Sequence, residues 1–142
     1  MALLVVALVA SAASASSSLT KPQYIKQADA ICAKAIAQTR ALGRAGTMAS
    51  VASKGPHWLT IDNATLKALH ALRAPSADAA SIKVLLAGAQ AAVTETANAV
   101  KAARARTVAA FLAHAKQSAK LTRHWQAVAQ AFGFKTCTHW GD

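Results

Sequence analysis

Apolar residues recur at three- and four-residue intervals along four stretches of the chain, and each stretch carries helix punctuation. In the first, Thr20 and Gln23 have the spacing of a capping box, Pro22 sits in the opening turn and Leu19 can staple onto Tyr24. Tyr24, Ala28, Ile31, Cys32, Ala35 and Leu42 then share an arc that Lys26, Asp29 and Arg40 avoid, and Gly43 supplies a stop. This predicts a helix over about 21–42. Residues 43–57 hold three Gly, Pro56 and several Ser and Thr, which predicts a loop over 43–59, interrupted at most by a short helical turn. A loop of that length is a natural place for a partner to bind.

Thr60 offers the next cap, for a helix over 61–73 with Ile61, Leu66, Leu69 and Leu72 on one side, ended by Ala74-Pro75. Ser76 is placed to cap a third helix, about 77–104, with Asp78 favouring its N-terminal dipole. Ile82, Leu85, Leu86, Ala89, Val93, Ala97 and Val100 form its stripe, which Arg104 breaks. The junction at 103–107 has neither Gly nor Pro, so either Thr107 caps a separate fourth helix or one kinked helix runs through. The last helix, about 108–132, places Phe111, Leu112, Ala115, Ser118, Thr122, Trp125, Ala129 and Phe132 on one side. Gly133 ends it, with Phe134 in position for a Schellman contact. No segment reads as a strand and no repeat of fixed period appears. Four amphipathic helices, three joined by short turns, predict an all-α, up-down-up-down four-helix bundle in a single domain over 16–142.

Composition makes that core thin. Hydrophobic residues make up 54% of 142, yet 39 of them are Ala and only seven residues are aromatic. Ala forms helices well and buries little area, so a covalent staple would help. The uncharged run Met1–Ala10 and the small residues at Ala13 and Ala15 predict a signal peptide over 1–15, too short for a membrane anchor. The run begins directly after Met1 with no Lys or Arg, which points to a start codon upstream. In an exported chain two cysteines pair, and a Cys32–Cys137 disulfide would pin the tail to helix 1.

Sixteen Lys and Arg against five acids give a formal charge of +11, which draws a protein toward phospholipid headgroups, wall polymers or released nucleic acid. Lys101, Arg104 and Arg106 cluster at the third junction, and Lys116, Lys120 and Arg123 share the outer face of helix 4. Six cations with no acid among them can grip phosphate oxygens; the same row is also what an ordinary solvated helix face looks like. Aromatic residues for stacking bases are not interleaved there, since Phe111 and Trp125 point inward, and no specific nucleic-acid site is expected. Trp58 and Trp140 fall outside the helices and read as exposed.

The other polar residues do not assemble a reaction centre. His57, His70, His114, His124 and His139 lack metal-ligand spacing, and His114 and His70 read as core-edge residues hydrogen-bonded to a neighbour. Asp29 and Glu95 lie off their apolar arcs and read as solvent-facing. There is no Cys-x-x-Cys, Gly-rich phosphate loop, nucleophile elbow or His-Glu-x-x-His. The expectation is a protein without catalytic residues, metal or cofactor.

The run Leu19-Thr20-Lys21-Pro22-Gln23-Tyr24-Ile25-Lys26-Gln27-Ala28-Asp29-Ala30-Ile31-Cys32, with the late Phe132-Gly133-Phe134-Lys135-Thr136-Cys137, resembles a group of uncharacterised exported proteins and lipoproteins common in actinobacteria. The resemblance implies an extracytoplasmic helical domain with paired cysteines and brings no catalytic residues. The chain lacks the lipobox cysteine of the lipoprotein members. The expected role is a secreted or envelope-associated interaction module held by its basic faces near anionic envelope components, with no membrane-spanning segment after signal removal. The alternatives are a carrier of a small apolar ligand in a slot between Ala-rich helices and, third, a nucleic-acid binder.

Overall fold

Four helices and two short 3-10 turns make up a computed structural model that describes residues 18–141; the signal-peptide expectation for 1–15 lies outside these. Helix α1 spans Lys21–Leu42, α2 Met48–Ala71, α3 Ala79–Arg104 and α4 Val108–Phe132, with 3-10 turns at Ser76–Asp78 and Cys137–His139. The capping box at α1 is reciprocal: the Thr20 N–H donates to Gln23 Oε1 at 2.9 Å and the Gln23 N–H to Thr20 Oγ1 at 3.4 Å. At the far end of α4, Gly133 has φ 114°. There the Phe134 N–H donates to the Ala129 carbonyl and the Gly133 N–H to that of Gln130, the two bonds of a Schellman motif.

Neighbouring helices run antiparallel. Gly55 near the start of α2 faces Val100 near the end of α3, Thr96 on α3 bonds Ser118 on α4 at 2.8 Å, and Tyr24 at the start of α1 meets Phe132 at the end of α4. The fold is the expected four-helix bundle, and its helices 3 and 4 are separate. Tyr24, Ala28, Cys32, Leu66, Leu69, Ile82, Leu85, Leu86, Ala89, Trp125 and Ala129 form its core.

The long loop is a correction. Residues 43–47 alone connect α1 to α2, because Thr47 and Ser50 cap each other as Thr20 and Gln23 do. Gly55 and Pro56 lie inside α2, where Pro56 forfeits one ladder bond. Gly55 earns its place by packing: a Cβ there would stand 2.4 Å from Val100 Cγ2. Thr60 is likewise no cap; its hydroxyl donates to the Pro56 carbonyl within α2. Ser76 caps nothing either: it opens a 3-10 turn, and neither that turn nor α3 has a side-chain cap. Leu112, expected inward, is 60% exposed.

The bundle closes through its tail. α1 meets α4 chiefly by way of the segment after Gly133, in which Phe134, Cys137 and Trp140 are buried. Cys32 and Cys137 are disulfide-bonded. Asp29, expected to face solvent, instead accepts the N–H groups of Lys135 (3.1 Å), Thr136 (2.9 Å) and Cys137 (2.9 Å). Trp140, expected exposed, is 5% exposed and stands edge-on to Trp125 with ring centroids 5.3 Å apart. Its indole N–H donates to Asp62 at 3.0 Å.

Variants at Gly55 and at Asp29 test these contacts. Gly55→Ala gains about 1 kcal/mol of helix propensity, but Val100 is a stiff β-branched neighbour and overpacking costs roughly 1–3 kcal/mol. Urea titration is expected to find Gly55→Ala destabilised and the Gly55→Ala/Val100→Ala pair relieved of that clash. Asp29→Ala strands three backbone donors and is expected to lower unfolding free energy by roughly 1–3 kcal/mol, with Asp29→Asn, which keeps one acceptor oxygen, losing less.

Candidate functional site

The turn between α3 and α4 carries the densest group of the expected cations. Arg106 adopts φ 58°, the one non-glycine positive φ among the described residues. Its N–H donates to the Ala103 carbonyl and that of Thr107 to Ala102, so this is a second Schellman ending with arginine where glycine is usual. A left-handed arginine costs roughly 1–2 kcal/mol, and the side chain it projects is charged. Lys101, Arg104 and Arg106 are all exposed. Thr107 precedes α4 without a side-chain cap.

The short α1–α2 loop brings further cations to the same end. Lys54 Nζ donates to the Arg44 carbonyl at 3.3 Å, one residue before the Gly55–Val100 contact. An open recess of about 530 Å³ lies alongside, lined by Pro56, Leu59, Ala97, Val100 and Ala105 together with Lys101 and Arg104. The sequence pattern alone does not bring Arg44 and Lys54 to this end, because Gly55 and Pro56 disguise the start of α2 as loop. Lys116, Lys120 and Arg123 are exposed on α4, but at 1.5 Å per residue they lie about 12–22 Å along the helix from Val108. The six expected cations thus form a cluster at the turn and a row leading away from it.

The described acids do little to neutralise these cations. Asp29 is bonded to the tail backbone and Asp62 to Trp140. Asp78 pairs with Lys21 at 3.6 Å near the opposite end of the bundle. Glu95, expected to face solvent, is half-buried and accepts from or ion-pairs with His114 Nδ1 at 2.8 Å. His114 is therefore the hydrogen-bonded core-edge residue anticipated, whereas His70 is exposed. None of the six expected cations makes an ion pair with a described acid.

Other polar groups stay apart. No group of three His, Cys, Asp or Glu is arranged to hold a metal among the described residues. No helix among them is long and apolar enough to cross a membrane. A second open recess, about 310 Å³, lies by the tail between Ile36, Arg40, Lys135, Thr136 and His139. Comparisons with protein-family profiles, curated proteins and solved structures return no match.

Asp62 has a displaced titration. Burial pushes its pKa up to about 6 and the Trp140 hydrogen bond pulls against that rise. A folded pKa above the ordinary carboxyl value of 3.8 means the folded state holds this proton more tightly. The associated stability is complete below the unfolded pKa and is lost as pH rises through the folded one. Thermal melts are therefore expected to show the wild type losing up to about 2–3 kcal/mol from this group between pH 4 and pH 7. Asp62→Asn, which can still accept the indole N–H, should remove that pH dependence.

Proposed function

We propose that this protein is a non-catalytic, extracytoplasmic interaction module that associates with anionic components of the cell envelope through the cationic end of its bundle. The observation that carries the reading is the exposed group Lys101, Arg104 and Arg106, joined by Arg44 and Lys54, with no described acid paired to it. Charges so placed keep their long-range field and raise the local concentration of polyanions. The extracytoplasmic part rests on the apolar leader, on the resemblance to exported actinobacterial proteins, and on the Cys32–Cys137 bond, since disulfides persist in oxidising compartments.

Arg106 provides a clean test, because Arg106→Gly removes a charge and relieves a left-handed backbone at once. The variant is expected to be at least as stable as wild type, yet to sediment less with isolated envelopes at 50 mM salt. Raising salt should release the wild type too, as the screening length falls from about 10 Å at 0.1 M to about 3 Å at 1 M. Envelope binding unchanged by 0.5 M salt and by Arg106→Gly would exclude the electrostatic reading.

A further inference from the structure

Three large apolar side chains are mostly exposed: Val84 (69%), Val108 (56%) and Leu112 (60%). Single exposed aliphatics are ordinary. Val108 and Leu112 differ in their surroundings: they stand one helical turn apart at the start of α4, directly after Arg104 and Arg106. At 100° per residue, Val108, Leu112, Lys116, Lys120 and Arg123 fall within an arc of about 120°. All five are exposed, as are Ala109, Ala119, Ala127 and Gln130 on the same arc, and none is an acid. The outward face of α4 thus runs from an aliphatic tip, set among cations, into a row whose charged residues are all cationic.

We propose that this tip docks on an anionic phospholipid bilayer, with Val108 and Leu112 entering the acyl boundary and Lys101, Arg104, Arg106 and Lys116 at the phosphate layer. The proposal rests on the envelope-binding reading and narrows it to one surface. Cations alone would serve any polyanion, wall polymer included. Two branched aliphatics inside the charge cluster gain nothing from a hydrated wall polymer, but they do gain from an apolar medium just beneath an anionic layer, which is the construction of a membrane interface. The spacings agree. With α4 end-on to the surface, Leu112 lies about 6 Å and Lys116 about 12 Å along the helix from Val108, and Arg104 and Arg106, in the turn at Val108's depth, reach the phosphates by extending their aliphatic stems back toward the headgroups. Lys120 and Arg123 then stand above the headgroups, near enough for the surface field to act at low salt.

The test measures partitioning of the full chain onto vesicles of phosphatidylglycerol and phosphatidylcholine in equal parts, onto pure phosphatidylcholine vesicles, and onto isolated cell-wall polymer. Wild type is expected to bind the mixed vesicles and not the zwitterionic ones. Val108→Ser/Leu112→Ser, whose exposed positions should leave the melting temperature nearly unchanged, is expected to lose at least about tenfold in partitioning. Leu112→Trp should add fluorescence that bromine-labelled acyl chains quench. Equal vesicle binding by wild type and the double serine variant, with Leu112→Trp unquenched, would overturn insertion while leaving the electrostatic reading standing. Binding to wall polymer but not to vesicles would overturn the bilayer as the partner and likewise spare the broader reading. Binding to none of the three would overturn both.

Discussion

The attachment of the tail to α1 is the constraint on which this bundle depends. Four Ala-rich helices give little buried area per residue, and beyond the Tyr24–Phe132 ring contact α1 and α4 leave a gap between them. Phe134, Cys137 and Trp140 fill it, each fixed by a different interaction. Phe134 packs on Tyr24 with ring centroids 6.2 Å apart, Cys137 is bonded to Cys32, and Trp140 lies against Trp125 with its N–H on Asp62. Asp29 gathers three consecutive N–H groups at the start of the last turn, which would otherwise be costly to bury. The disulfide links residues 105 apart in sequence, so in the chain-entropy view it closes a long loop of the unfolded chain, a contribution of about 4–5 kcal/mol.

The same arrangement accounts for the charge distribution. Asp29 and Asp62, half of the described carboxylates, hold the tail, and Glu95 with His114 sits in the α3–α4 seam. Carboxylates committed to these internal contacts do little to offset surface cations, and the short connections 43–47 and 105–107 bring several of those cations to one end. The basic end is thus a consequence of topology combined with where the acids are used. The aliphatic tip follows from the same geometry: α4 leaves the tight turn with Val108 and Leu112 already rotated away from the core.

Much of the fold was legible in the sequence because its signals are local. The Thr20–Gln23 box, the Gly43 stop, the Gly133–Phe134 ending and the stripe from Ile82 to Val100 each follow from spacing within a turn or two. What escaped depends on distant partners. Gly55-Pro56 reads as a break from its neighbours alone, and only Val100, 45 positions on, explains why a glycine belongs inside α2. Asp29 looks solvent-facing on its own helix because its partners lie 106–108 residues away. Trp140 follows the last helix and gives no periodic signal of burial. The α3–α4 turn lacked its usual glycine because Arg106 takes the left-handed position. Of the candidate site, the six cations were readable as a pattern; their division into a cluster and a row, and the addition of Arg44, Lys54, Val108 and Leu112, required the turn geometry.

Amide hydrogen exchange at Lys135, Thr136 and Cys137 in the oxidised protein tests the closure most directly. If Asp29 and the disulfide hold the tail as part of the core, the Thr136 and Cys137 amides should exchange as slowly as those in the middle of α1 and α4. Exchange of these two amides at the rate of an unstructured chain, with α1 and α4 still protected, would contradict it: the four helices would then cohere without the tail.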